Sequence, residues 1–178
     1  MTLILSLALA LGAAQQPRQN PALIRQLDSN TKALTDVAQA VANVRAETDR
    51  FRTRAFNDPA GSVLESAVAF RSACDSVAAA ATRARRQICR SCQRGRLQAT
   101  LDNYRVYMPT LAELGRRCAA RLRARVTASS SQASLHQTAL EMSNMLVTGL
   151  RTYERKVADV RGAMSAPARR TATRSGSP

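Results

Sequence analysis

Apolar residues recur along this chain at alternating spacings of three and four, the period of an α-helix that buries one stripe of its surface. The first stripe is Leu27, Asn30, Leu34, Val37, Val41, Val44, Thr48 and Phe51, a heptad seam that is polar only at Asn30 and Thr48. Asn20-Pro21 suits its start, an N-cap followed by the helical position where proline sacrifices no hydrogen bond. Asn57-Asp58-Pro59-Ala60-Gly61 breaks the pattern, and Ser62 with Glu65 forms a capping box for a second helix. Its seam is Val63, Ala67, Phe70, Cys74, Val77, Ala81, Ala84 and Ile88.

Gly95 supplies a turn residue at the C′ position of that helix, and a third seam follows at Leu97, Leu101, Tyr104, Met108, Leu111, Gly115, Cys118 and Leu122. Pro109 falls inside this helix and predicts a local kink. After Thr127-Ala128-Ser129-Ser130-Ser131 comes a fourth seam of Leu135, Ala139, Met142, Leu146, Gly149, Tyr153, Val157, Val160 and Met164. The pattern thus predicts helices over about 21–56, 62–91, 96–126 and 132–164. Helices of similar length, about 45 to 54 Å each at 1.5 Å per residue, joined by short loops, make antiparallel neighbours. The expected fold is all-α: an up-down-up-down antiparallel four-helix bundle with heptad-like seams, stapled by disulfides.

The staples follow from register. If helices two and three pack antiparallel about a turn near Arg96, facing residues have numbers that sum to 192. Ile88 then faces Tyr104, Ala84 faces Met108, Ala81 faces Leu111, Val77 faces Gly115, Cys74 faces Cys118 and Phe70 faces Leu122. Several layers set a small residue against a large one, as interdigitating cores require. Of the three complete pairings open to four cysteines, two join Cys74 to Cys89 or Cys92. Along one continuous helix those lie about 22 to 27 Å away, far beyond the roughly 7 Å that a disulfide spans. Cys74 with Cys118 and Cys89 with Cys92 remain. The first closes a loop of 44 residues, for which chain entropy predicts a stabilisation on the order of 4 kcal/mol.

The stretch Ile88–Arg96, ICRSCQRGR, carries the second pair as a C-x-x-C. Gln93 stands where covalent haem attachment uses histidine, and His136, the chain's one histidine, belongs to the opposite end of the expected bundle. Zinc needs four nitrogen or sulfur ligands and no second pair is near. A thioredoxin-like role places its cysteines at a helix N-terminus, whereas Cys89 and Cys92 are expected to close a helix, although Arg86, Arg90 and Arg94 favour thiolate. A structural disulfide is the preferred reading, with thiol redox or metal handling through Cys89 and Cys92 as the alternative. No cofactor and no bound metal are expected.

The first residues, MTLILSLALALGAAQQ, change the compartment. Leu3–Leu11 is an apolar run, and Gly12-Ala13-Ala14 offers small residues for signal peptidase. A transmembrane helix needs roughly 20 apolar residues, so residues 1–14 are expected to be a cleaved signal peptide that leaves no transmembrane anchor. Residues 15–20 then form a polar leader, 21–165 the bundle and 166–178 a disordered basic tail. The protein is expected to be exported, to the periplasm or beyond the cell, where disulfides persist.

Charge sets the expected partner. There are 27 basic residues against 12 acidic ones, for a net charge of +15, and all the basic residues except Lys32 and Lys156 are arginine. One candidate anion-binding group is Arg83, Arg85, Arg86, Arg90, Arg94 and Arg96, with no acid between Asp75 and Asp102. The other is Arg116, Arg117, Arg121, Arg123 and Arg125, expected beside Arg50, Arg52 and Arg54 at the other end. Such groups suit an anionic polymer, lipid headgroups or an acidic protein. Sequence-specific nucleic acid is not expected, because three Phe, three Tyr and no Trp leave few aromatics for base stacking. Catalysis has no motif to build on: no H-E-x-x-H, no G-x-S-x-G and no glycine-rich phosphate loop occurs. The carboxylates are scattered on outer faces, so the expected role is non-enzymatic.

Overall fold

The computed structural model describes residues 21–166, and the expected signal peptide, leader and basic tail lie outside them. Four helices make up the described chain: α1 Pro21–Asn57, α2 Ala60–Gln87, α3 Gly95–Arg125 and α4 Gln132–Ser165. Among the described residues there is no strand. Each helix packs on its sequence neighbours, and α1 also packs on α4, around a single core. Cys74 and Cys118 lie at disulfide distance in that core, their Cα atoms 5.8 Å apart.

The seams account for most of the buried surface. Every seam residue of α2 is buried, as are Asn30, Val37, Val41, Val44, Thr48 and Phe51 of α1. Leu27 and Met164 are exposed, in contrast to their seam positions. Core membership also widens beyond the seams to Ala33, Ala40, Ala55, Ala73, Ala80, Ala112 and Ala119. Alanine flanks let helices approach closely enough to bury a broader stripe than the heptad positions alone. Gly115 shows how closely: a Cβ there would stand 2.6 Å from the Cys74 carbonyl oxygen and 2.8 Å from the Ala78 nitrogen.

Local signals at helix ends need three corrections. Helix α2 begins at Ala60, not at a Ser62–Glu65 capping box: its N-cap is Pro59, and no side chain caps it. Pro59 already holds the extended conformation that an N-cap needs, with φ −60° and ψ 150°, so the helix starts at once. Ser62 lies in the first turn, its Oγ donating to Pro59 and to Asp58. At the other end α2 stops at Gln87 and not near residue 91. Ile88 turns extended, φ −68° and ψ 118°, with its side chain buried. The Cys89 amide then donates to Asn30 Oδ1 at 3.0 Å rather than to a helical carbonyl. Gly95 has the left-handed φ of +64°, and it opens α3 rather than closing α2. Helix α3 runs through Pro109 as one element, and Ser131 caps α4 by accepting from the Ser134 amide at 3.2 Å.

Candidate anion-binding site at the α2–α3 loop

The Cys89–Cys92 segment sits in an irregular loop, Ile88 to Arg94, clamped from both sides. On the α1 side the Asn30 carboxamide is 4% exposed; its oxygen takes the Cys89 N–H and its Nδ2 donates to Cys92 Sγ at 3.2 Å. Gln26 Nε2 donates to the Gln87 carbonyl at 3.1 Å, which holds the first turns of α1 against the last residue of α2. On the α3 side Gln98 Nε2 donates to the Arg90 carbonyl at 2.7 Å, and its Oε1 accepts from the Gln93 N–H at 2.9 Å. A loop whose helix has ended leaves backbone groups unpartnered, and two side-chain amides supply the missing donors and acceptors. Cys89 and Cys92 are at disulfide distance, Cα to Cα 5.9 Å, and both are half-buried.

Around this clamped loop the guanidinium groups of Arg83, Arg85, Arg86, Arg90, Arg94 and Arg96 are all exposed. Among the described residues none of the six is within ion-pair distance of a carboxylate, and none of their side chains makes a hydrogen bond; the nearest acids in sequence, Asp75 and Asp102, lie against Arg123 and Arg105 at 3.3 and 3.9 Å. The second arginine group is different. Arg116 pairs with Glu113 at 2.9 Å, Arg123 with Asp75 at 3.3 Å, and Arg121 and Arg125 share Glu141 at 3.6 and 3.8 Å. Its expected neighbours on α1 are also paired in part, Arg50 with Glu47 and Arg54 with Asp58. Of the five only Arg117 lacks a carboxylate among the described residues. Exposed pairs of this kind add little stability, about 0 to 1 kcal/mol each, but they cancel the field that would attract an anion. The two arginine groups therefore differ electrostatically, which their composition alone does not show.

Elsewhere the surface offers shallow grooves between α1 and α4, one of 350 Å³ beside Thr48, Leu146 and Leu150, another of 510 Å³ lined by Ala38, Val41, Ala42 and Tyr153. The Arg45–Glu154 ion pair stands at the boundary of both. Two tyrosine hydroxyls, Tyr104 and Tyr153, are buried with no hydrogen-bond partner, their rings 6.2 Å apart. His136 stacks on Phe56 and contacts Gln132, at the α1–α2 side of α4's first turn. Among the described residues no three His, Cys, Asp or Glu side chains gather closely enough to hold a metal ion, and no helix is long and apolar enough to cross a membrane.

The sequence pattern singled out the arginines and cysteines but not Gln26 and Gln98, whose roles depend on where the loop folds. Asn30 did leave a trace, a polar residue on an otherwise apolar seam. No protein-family model, no curated protein and no solved structure matches this chain.

Proposed function

We propose that this chain is an exported, non-enzymatic protein, an up-down-up-down helical bundle that binds an anionic partner through the arginines of its α2–α3 end. The observation that carries the reading is the contrast between the six arginines there, which have no carboxylate partner among the described residues, and the second group, which is mostly paired. Arginine holds its charge at any physiological pH and presents a fork suited to phosphate or carboxylate, but it offers no proton for acid-base chemistry near neutrality. That is the chemistry of binding.

The antiparallel arrangement draws support from the order of contacts. Asn103, Tyr107 and Arg121 of α3 meet Lys156, Gly149 and Glu141 of α4, so partner numbers fall as α3 numbers rise. Between α1 and α4, Arg45 meets Glu154 and Ala55 meets Gln132; between α1 and α2, Gln26 meets Gln87 and Phe51 meets Phe70. Export draws support from the Leu3–Leu11 run and from two cysteine pairs at disulfide distance, because such bonds persist in oxidising compartments.

Titration with polyphosphate and with anionic vesicles tests the binding. Affinity should fall steeply with added salt, because exposed charges are screened over about 10 Å at 0.1 M. The triple variant R83E/R86E/R90E should lose binding, while R116E/R121E/R123E should keep most of it. Equal losses in the two variants, or binding indifferent to salt, would sink the reading.

One observation favours a second reading, a thiol redox role for Cys89 and Cys92. They lie in a loop beyond the end of α2, half-exposed, and Asn30 donates to Cys92 Sγ, a contact that favours thiolate. Thiol counting across glutathione buffers separates the two: a disulfide that stays oxidised under strongly reducing buffer excludes the redox role.

A further inference from the structure

We infer that the anion recognised at the α2–α3 end is an anionic membrane surface, met by the arginines together with an apolar ridge on the first turns of α1; this rests on the arginine reading above and narrows it to one partner. The ridge is Leu23, Ile24 and Leu27, exposed by 42, 39 and 38%. Their spacing of one and three residues places them on one side of the helix. Leu27 belongs to the heptad seam by sequence, yet it finds no core. Gln26 meets Gln87, the last residue of α2, and the first buried residue of α1 is Asn30. Pro21 to Arg25 therefore extend past the end of α2, by about 7 Å at 1.5 Å per residue.

Three apolar side chains are thus left beside the unpaired arginines. Gln26, flanked by the ridge, touches Gln87, which follows Arg85 and Arg86 directly, while Asn30 holds the loop that carries Arg90 and Arg94. Arg25, beside the ridge in sequence, adds a further exposed charge with no carboxylate partner among the described residues; Asp28 is the one acid in these turns. Other exposed large hydrophobics, such as Val68, Val106 and Leu140, stand one by one along the helices, as on any protein surface. Among the described residues, the ridge is the one place where three exposed large hydrophobics fall within five residues, and it stands beside arginines that have no carboxylate.

A polyphosphate or acidic polymer would use the arginines and leave the ridge in water. A bilayer surface uses both: guanidinium groups bind phosphate in the headgroup layer, and the leucines and isoleucine enter the boundary of the acyl chains. Neither contribution alone gives stable attachment, and the combination does.

The chain contains no tryptophan, so Ile24→Trp places a single fluorophore on the ridge. The experiment uses the protein purified from an exporting host, its N-terminus read by intact mass, so that an uncleaved apolar leader is not mistaken for the ridge. With vesicles of equal parts phosphatidylglycerol and phosphatidylcholine the emission should shift to the blue, and with pure phosphatidylcholine it should not. Val106→Trp, exposed in mid-helix, should show no shift with either. In sedimentation, L23S/I24S/L27S should weaken vesicle binding about tenfold or more while leaving polyphosphate binding unchanged. R85E/R86E/R90E should weaken both, on the order of a hundredfold for vesicles. Circular dichroism checks that the variants keep their helices. Vesicle binding that ignores the serine variant and leaves the ridge fluorophore unshifted would overturn the membrane inference and leave the arginine reading standing, as would tight binding to polyphosphate or an acidic protein with none to vesicles. Failure to bind any of these would overturn both.

Discussion

At the scale of single residues, the core contains side chains whose chemistry and packing pull in opposite directions. Tyr104 and Tyr153 are buried and neither hydroxyl finds a partner. Burial pushes both phenols up from their ordinary value, and for Tyr104 the neighbouring Tyr153 adds to the effect. In the unfolded chain tyrosine ionises near pH 10. The stability tied to the neutral phenols is therefore complete below about pH 10 and is lost as pH rises above it toward the folded-state values. Denaturant titrations should show this high-pH loss reduced in Tyr104→Phe, with stability at neutral pH unchanged or slightly higher, because the variant removes an unpaired buried hydroxyl. Glycines give a second contrast. Gly115→Ala would drive a Cβ against the α2 backbone, at 2.6 Å from the Cys74 oxygen, and should cost about 1 to 3 kcal/mol. Gly162→Ala meets nothing within 4 Å and should gain about 0.5 to 1 kcal/mol by helix propensity. Melting temperatures moving in opposite directions would check both.

At the scale of elements, helix positions were legible because amphipathic periodicity is a property of the chain itself. The seam residues of α2 are all buried, and the register that sums to 192 sets Cys74 against Cys118, which do come to disulfide distance. Helix ends were less legible. Capping depends on which groups compete for the terminal amides, and at the end of α2 the winner is Asn30, from another helix. Replacing Asn30 by Ala should cost about 1 to 3 kcal/mol, because it leaves the Cys89 N–H without its acceptor. Faster hydrogen exchange at the Cys89 amide, with exchange in mid-α3 unchanged, would localise the effect to the loop. For the proposed Cys74–Cys118 bridge, C74A/C118A should lower stability on the order of 4 kcal/mol by the chain-entropy account. Peptide mapping without reductant identifies the bond, and unfolding with and without reductant measures its contribution.

At the scale of the whole molecule, the important fact is how charge is distributed. A net charge of +15 opposes compaction through self-repulsion. Moderate salt should therefore raise the melting temperature by a few degrees without changing helicity; a flat or falling response would mean that the existing ion pairs already offset the repulsion. Pairing among Arg116, Arg121, Arg123, Arg125 and their carboxylates leaves the α2–α3 end as the strongest uncompensated positive region among the described residues. The exposed ridge of Leu23, Ile24 and Leu27 belongs to the same end. Neither feature is visible from composition, since identical arginines occur in both groups.

By itself, the sequence determined the number of helices, the stripe each one buries and which cysteines could meet, because these follow from a 3.6-residue period and the reach of a side chain. Tertiary structure alone decided where α2 ends, which arginines keep their charge uncompensated and how far α1 runs past α2. Those outcomes depend on residues distant in sequence: Asn30 taking an amide from the next helix, Glu141 reaching two arginines of α3, and Gln26 meeting Gln87 where α1 runs on alone. Periodicity carries no information about such meetings. ICRSCQRGR, conspicuous in the sequence for its cysteines, is in the folded protein a loop held by Asn30 and Gln98, with its arginines facing outward.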